Sequence, residues 1–196
     1  MTRITLVVAV TLALLVPTAA SAAGAQETLS TRHARVVEQV KQRVDDAALQ
    51  REVDALLDYR ALAQDSLGGP ARYAEQCGAR CADFEAALTR LIRDNYLRRL
   101  RTEREHKVEQ VGEEVRAKGV LVKTLVSFTK EGKVETLAVD YLMHEVEGRW
   151  LVRDIITDGV SLARNYKYEF GQILKKDGID GLIARLEAKT AELAKN

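Results

Sequence analysis

The hydrophobic period of this chain changes twice, and this change restricts the fold more than any other feature. From Thr28 to about Arg104 apolar residues recur at three- and four-residue spacing, as in "LSTRHARVVEQVKQRV", which predicts helices. From about Gly119 the period becomes two, and turn signals such as "KEGK" and "EVEGR" separate the segments, which predicts antiparallel strands. Helical spacing returns after Gly159. This order of elements indicates a single α+β domain.

Three helices are predicted before the strands. The first carries a valine stripe, and the second runs through "LQREVDALLDYRALAQDSLGG" as one helix until the breaker Gly68-Gly69-Pro70. The third covers "ADFEAALTRLIRDNYLRRLR". After the strands, Ser161 is a natural N-cap for a helix that Asp177-Gly178 should end, with Asp180 as the cap of a last helix.

The predicted sheet is antiparallel and has about four strands. One face of three strands carries an apolar series: Val120, Val122, Val126 and Phe128; Leu137, Val139, Tyr141 and Met143; Trp150, Val152 and Ile156. The segment "VEQVGEEVRA" fits either a fourth strand or a helix, because its apolar spacing is three and four.

The first residues have the order of a secretory signal peptide. Arg3 precedes the apolar run "ITLVVAVTLALLV", and Ala20-Ser21-Ala22 forms a small-residue cleavage site. The run has 13 residues, fewer than the ~20 that cross a bilayer. We therefore expect a signal peptide over residues 1–22, no transmembrane span after processing, and an exported, periplasmic domain over residues 23–196. Because no cysteine lies near the cleavage site, a lipid anchor is not expected.

Charge and cysteine content exclude several functions. The chain has 30 Lys and Arg against 29 Asp and Glu, and removal of Arg3 balances them, so no bulk positive field favours nucleic acid. Cys77 and Cys81 in "CGARC" are predicted to form a small disulfide-closed loop after export. They lack partners for a zinc site, and no metal or other cofactor is expected.

Ser161 raises the question of catalysis. The string "DGVSLA" is similar to a nucleophile elbow, but Ala163 stands where the second glycine is needed. A capping role therefore fits Ser161 better than a nucleophilic one. Asp154 is predicted to share the face of Trp150 and Val152 and to hydrogen-bond to the turn at Gly159–Ser161, because a buried carboxylate needs partners.

The C-terminal third, "GRWLVRDIITDGVSLARNYKYEFGQILKKDGIDGLIARL", resembles the MlaC family, also called the toluene-tolerance family. The likeness rests on a W-x-V-x-D strand, a D-G-V-S turn, an N-Y-x-x-x-F helix and a late G-I-D-G-L turn. Upstream, "LLDYRALAQDSLG" and "FEAALTRLIRDNY" are similar to the two preceding family helices. The chain departs from the pattern after "SLG", where "GPARYAEQCGARC" replaces an expected tryptophan.

The resemblance implies a non-enzymatic phospholipid carrier with an α+β fold, in which an apolar cavity lies between a twisted sheet and helices. It also implies transfer between an outer-membrane lipoprotein complex and an inner-membrane ABC transporter, in support of outer-membrane lipid asymmetry. A hopanoid-linked branch of the family leaves the lipid open. Two alternatives are an exported esterase using Ser161 and a periplasmic adaptor without its own lipid.

We expect the acyl chains to contact one sheet face and a helical lid. The predicted sheet residues are Val122, Val126, Leu137, Val139, Tyr141, Val152 and Ile156, and the predicted lid residues are Leu162, Tyr166, Phe170 and Leu174.

Overall fold

The computed structural model describes residues 24–102 and 106–195, so the predicted signal peptide lies outside the described residues. Six helices and five strands follow one another in an α+β arrangement, as predicted. They are α1 (Ala25–Lys41), α2 (Asp46–Asp54), α3 (Tyr59–Ser66), α4 (Pro70–Cys77), α5 (Cys81–Thr102), β1 (His106–Arg116), β2 (Gly119–Lys130), β3 (Lys133–Val146), β4 (Arg149–Thr157), β5 (Val160–Ser161) and α6 (Leu162–Leu193). None of the helices in these ranges is long and apolar enough to span a membrane.

The sheet is an antiparallel meander in the order β1-β2-β3-β4-β5. Its last three connections are Glu131-Gly132, Glu147-Gly148 and Asp158-Gly159, and both residues of each pair have positive φ. Two successive positive φ angles define the tight hairpin turn that matches strand twist, which explains why glycine occupies the second position. The turns predicted from "KEGK" and "EVEGR" are therefore confirmed.

The sheet has five strands, where the sequence predicted about four. The ambiguous segment "VEQVGEEVRA" is in β1, which pairs with β2 along its length. The register shifts between Gln110 and Gly112, and this bulge explains the irregular apolar spacing that also suited a helix. The added fifth strand is the two-residue β5 next to β4.

The second predicted helix is two helices, α2 and α3. The chain between them forms a short parallel bridge in which Asp58 N donates to Val152 O and Val152 N donates to Leu56 O, each at 2.8 Å. These bonds direct the backbone of Leu56–Asp58 to the edge of β4, and so they end α2. Asp58 then caps α3 by accepting a hydrogen bond from Ala61 N at 2.8 Å.

The C-terminal helix α6 begins and breaks at the predicted residues. Ser161 caps it by accepting from Arg164 N at 3.1 Å. At Gly178 the backbone leaves the helical region, with φ 65° and ψ −169°, and this divides α6 into two helical segments.

The core lies among α1, α3, α5, α6 and one face of the sheet. Its largest fully buried side chains from the helices include Leu62, Phe84, Leu88 and Leu182, and the sheet contributes Val122, Met143 and Val152. Cys77 and Cys81 form a disulfide between the end of α4 and the start of α5.

Candidate functional site

One face of the sheet packs against α1, the end of α2, and α5, and a small enclosed hollow of about 10 Å³ remains between them. The cross-strand pairs Val122–Tyr141 and Tyr141–Ile155 define this face. The walls of the hollow are apolar or aromatic, with one histidine: Leu29, His33, Val53, Leu56, Leu57, Tyr96, Tyr141 and Ile155.

No group in these walls is ionised at neutral pH. Burial raises the pKa of Tyr141 to about 12 and also raises the pKa of Tyr96, with a smaller contribution from Tyr141. Burial, together with the charge of His106, lowers the pKa of His33 to about 4. The hollow is therefore lined by neutral side chains, which suit hydrocarbon and disfavour a charged ligand.

A larger groove of about 480 Å³ lies beside the hollow, along the C-terminal half of α1. Its wall is apolar and its other lining is mostly charged: Val37, Val40, Val44 and Leu49, then Lys41, Arg43, Asp46, Arg101 and His106. Arg101 is paired with Asp46 across the groove. An apolar wall beside cations is the arrangement that an amphipathic anion requires.

Two histidines lie where the groove meets the hollow. His33 lines the hollow, His106 lines the groove, and their rings are 5.8 Å apart in an edge-to-face arrangement. His33 Nδ1 lies 3.3 Å from the Tyr96 hydroxyl, while His33 Nε2 is buried and has no hydrogen-bond partner among the described residues. The rings of His33 and His106 separate the hollow from the groove, and we call them the histidine partition. An unsatisfied buried nitrogen is costly, so the packing is weak at this partition.

The predicted sheet residues lie in three environments. Tyr141 lines the hollow, and Val122 and Val152 are fully buried on the same face. Three others continue this face towards the β2–β3 turn and are half-buried: Val126, Leu137 and Val139. Ile156 pairs with Asp140 and Ser161 on the opposite face, and Ile155 lines the hollow in its place.

The predicted lid residues belong to a different layer. Phe170 stacks on Tyr166 at a centroid distance of 4.8 Å and contacts Phe84 of α5 edge-on at 6.0 Å. Leu162 is half-buried at the start of α6, and Leu174 lines a separate groove on this helix. Around the hollow, the covering helices are instead α1 and α5.

Seven residues that line the hollow were not predicted from the sequence as site residues: Leu29, His33, Val53, Leu56, Leu57, Tyr96 and Ile155. A signal was available for Tyr96, because it follows Leu88 and Ile92 at four-residue spacing in "ADFEAALTRLIRDNYLRRLR". For His33 there was none, because it lies among charged residues in "LSTRHARVVEQVKQRV".

Ser161 and Asp154 form a structural junction. The Ser161 hydroxyl donates to Asp154 Oδ2 at 2.5 Å, and Asp154 Oδ1 accepts from Ala163 N at 3.0 Å. The predicted bond between Asp154 and the turn is confirmed, although a register shift between Leu142 and Met143 pairs Asp154 with Leu142 rather than placing it on the face of Val152. Of the histidines, His144 is bonded to Asp58, and His33 and His106 lie together at the hollow. The serine caps a helix in this arrangement.

Comparison with known proteins places these features in a family. A direct comparison with curated protein sequences finds no significant match. Among solved structures, the chain is similar to a phospholipid-binding protein from Ralstonia solanacearum in complex with a phospholipid, with a TM-score of 0.70 and 25% identity. The similarity covers 88% of this chain and 99% of that protein. The family model for the MlaC protein matches residues 24–188, and the chain therefore belongs to the MlaC family.

Proposed function

We propose that this protein is a periplasmic phospholipid carrier, and that acyl chains occupy an enlarged form of the hollow between α1, α5 and the sheet. The observation that carries the proposal is an enclosed, uncharged hollow that adjoins an amphipathic groove. Membership of the MlaC family and similarity to a protein solved with a phospholipid support it.

A carrier is physically necessary if phospholipid is to cross an aqueous compartment quickly. A diacyl lipid has roughly thirty methylenes, and each costs ~0.8 kcal/mol to expose to water, so desorption costs on the order of 20 kcal/mol. Apolar walls without any reactive group are sufficient to offset this cost.

The hollow has to grow before it holds a lipid. Its volume of about 10 Å³ is far below the several hundred Å³ of a typical ligand site. We place the opening at the histidine partition, because it separates the hollow from the groove and contains an unpartnered nitrogen. The groove then receives the polar headgroup beside Lys41 and Arg43, while the tails pass inward.

The predicted sheet residues gain a defined role in this proposal. Val126, Leu137 and Val139 extend the face of Tyr141 and become tail contacts when the hollow widens. Val122 and Val152 form its base. The lipid cycles between an inner-membrane ABC transporter complex and an outer-membrane lipoprotein complex, and the protein performs no catalysis.

Lipid analysis of the native protein tests the proposal. The mature protein is purified without detergent and extracted for lipid mass spectrometry, and we expect about one phospholipid per protein. Tyr141→Glu places a charge in the hollow and should abolish copurification, whereas Tyr168→Glu on the exposed surface should leave it unchanged. A folded wild-type protein that holds no lipid and takes none from labelled vesicles would refute the carrier function.

A further inference from the structure

A second groove lies between α6 and the α3–α4 turn and has a volume of about 720 Å³. It shares no lining residue with the hollow. Among the described residues, four cationic side chains and no acidic one line it: Arg72, Arg164, Lys167 and Lys175. The remainder of the lining is apolar or neutral and includes Leu67, Tyr168, Gly171, Leu174 and Ile179.

These four cations have no ion-pair partner within residues 24–102 and 106–195. Acidic residues nearby on α6 are engaged elsewhere, because Glu169 accepts from Asn165 and Asp177 pairs with Arg185. The cluster is therefore a local excess of positive charge on a chain whose formal net charge is only +1.

Two of the cations converge from different helices. Arg72 Cδ and Lys167 Cε lie 3.0 and 3.4 Å from the position that a Cβ on Gly68 would occupy. Like charges held close together without a counter-charge destabilise the free protein, and an anionic partner removes that repulsion.

The shape of the groove selects the kind of anion. On α6, Arg164, Lys167, Gly171 and Lys175 share one helical face that is ~16 Å long. Gly171 leaves this face open, since nothing lies within 4 Å of a Cβ placed there, and Leu67, Leu174 and Ile179 supply apolar contacts. An extended segment of about five residues spans this length, and its backbone reaches a concave floor that a flat bilayer does not.

We propose that this groove is a docking site for an acidic, partly apolar peptide segment of a partner protein. The acidic side chains pair with Arg72, Lys167 and Lys175, and apolar side chains between them contact the floor. The exposed ring of Tyr168 covers the segment from the rim. This inference does not depend on lipid binding in the hollow.

The test measures binding of a fluorescent peptide of about ten residues that alternates Glu with Leu and Ser, alongside the same peptide with Gln for Glu. We expect the acidic peptide alone to bind, with an affinity that falls as salt is raised. Arg72→Glu with Lys167→Glu should weaken binding about tenfold or more, because each reversal replaces attraction with repulsion. Lys130→Glu with Lys133→Glu, two exposed cations at the β2–β3 turn, is the charge-matched control and should change affinity less than about twofold.

Gly171→Leu tests the shape of the groove independently of its charge. The helix tolerates the added side chain, since a Cβ there is unobstructed, but the side chain fills the groove and should also weaken binding about tenfold. Copurifying lipid is measured in every variant and should remain unchanged, so a failure here is distinguishable from a failure of the carrier function. Equal loss in the charge-matched control, or no effect of Gly171→Leu, overturns the proposal. Binding of anionic vesicles but not of the peptide, lost on reversal of Arg72 and Lys167, overturns it in favour of a membrane surface.

Discussion

Asp154 joins β4 to α6 through a single carboxylate. It is 8% exposed and accepts hydrogen bonds from the Ser161 hydroxyl and Ala163 N. Ser161 in turn accepts from Arg164 N, so the carboxylate orders the whole first turn of the helix. A buried acid satisfied in this way stabilises the junction. Its loss leaves the Ser161 hydroxyl, Ala163 N and Ile155 N without this acceptor.

Asp154→Ala is expected to lower the free energy of unfolding by about 3 kcal/mol, because these donors lose their shared acceptor. Urea denaturation measures the change. Asp45→Ala is the matched control, since Asp45 caps α2 at an exposed site by accepting from Ala48 N, and it should cost about 1 kcal/mol. Equal losses in the two variants would show that Asp154 is an ordinary cap.

His33 makes stability depend on pH. Its pKa is lowered from 6.5 to about 4 by burial and by His106, whereas the unfolded chain takes up the proton near 6.5. The unfolded state therefore binds more protons between these values, so the free energy of unfolding falls as pH drops from about 6.5 towards 4. Between pH 7.5 and 5.0 we expect His33 to account for a loss of about 2 kcal/mol.

The measurement is urea denaturation at both pH values for the wild type and for His33→Gln. The variant keeps a polar side chain beside Tyr96 but does not titrate, so it should lose this part of the pH dependence. An unchanged pH dependence in the variant would contradict the assignment.

At the scale of elements, two of the three glycines in α6 have opposite requirements. Gly178 has φ 65° and ψ −169°, a region that residues with a Cβ scarcely enter, and it produces the break between the two segments of α6. Gly171 lies within the helix and has no positive φ, and a Cβ added to it would have no other atom within 4 Å. The first glycine is needed by the backbone, and the second is not.

Alanine at these two sites should therefore change stability in opposite directions. Gly178→Ala is expected to lower the free energy of unfolding by about 1–3 kcal/mol. Gly171→Ala should raise it by about 0.5–1 kcal/mol, because alanine is the better helix former. Thermal unfolding of the two variants measures both changes. Destabilisation by Gly171→Ala would contradict the prediction.

Sequence periodicity predicted the element types well and the pairing details less well. Hairpin turns and the α6 cap depend on local residues, so they were readable from "KEGK", "EVEGR" and Ser161. The break between α2 and α3 depends on a backbone bridge from Leu56–Asp58 to Val152, a residue about a hundred positions away. The shift that places Ile155 rather than Ile156 at the hollow arises from a bulge against β3, which period-two counting does not detect.

At the scale of the whole molecule, an apolar surface between sheet and helices was predictable from the sequence, but the side chains that line the hollow were not. Apolar strands facing amphipathic helices predict a core and a ligand site equally well, because both use the same residues. Their separation depends on which helix covers which part of the sheet. The predicted lid on α6 packs with α3 and α5 through Phe170 and Phe84, while α1 and α5 cover the hollow.

The closed hollow leads to a prediction about the loaded protein. The described residues leave about 10 Å³ between α1, α5 and the sheet, so a bound acyl chain must displace one of these layers. We expect α1 to move, because it carries His33, whose buried Nε2 has no hydrogen-bond partner among the described residues, at the histidine partition. Helix α5 is held more firmly, since Phe84 and Leu88 are fully buried among other helices.

Spin labels on Ala34→Cys in α1 and Glu109→Cys in β1 report this movement, because both sites are exposed and the native cysteines are already paired. Loading the delipidated protein with phospholipid should lengthen the label distance by several ångströms. A control pair on α5 and α6, Ala82→Cys with Ala184→Cys, should keep its distance, since Ala82 lies about four turns before Tyr96, the α5 residue that lines the hollow. A loaded protein in which the α1–β1 distance is unchanged would require the lipid to bind outside the hollow, in the groove along α1 or on another surface.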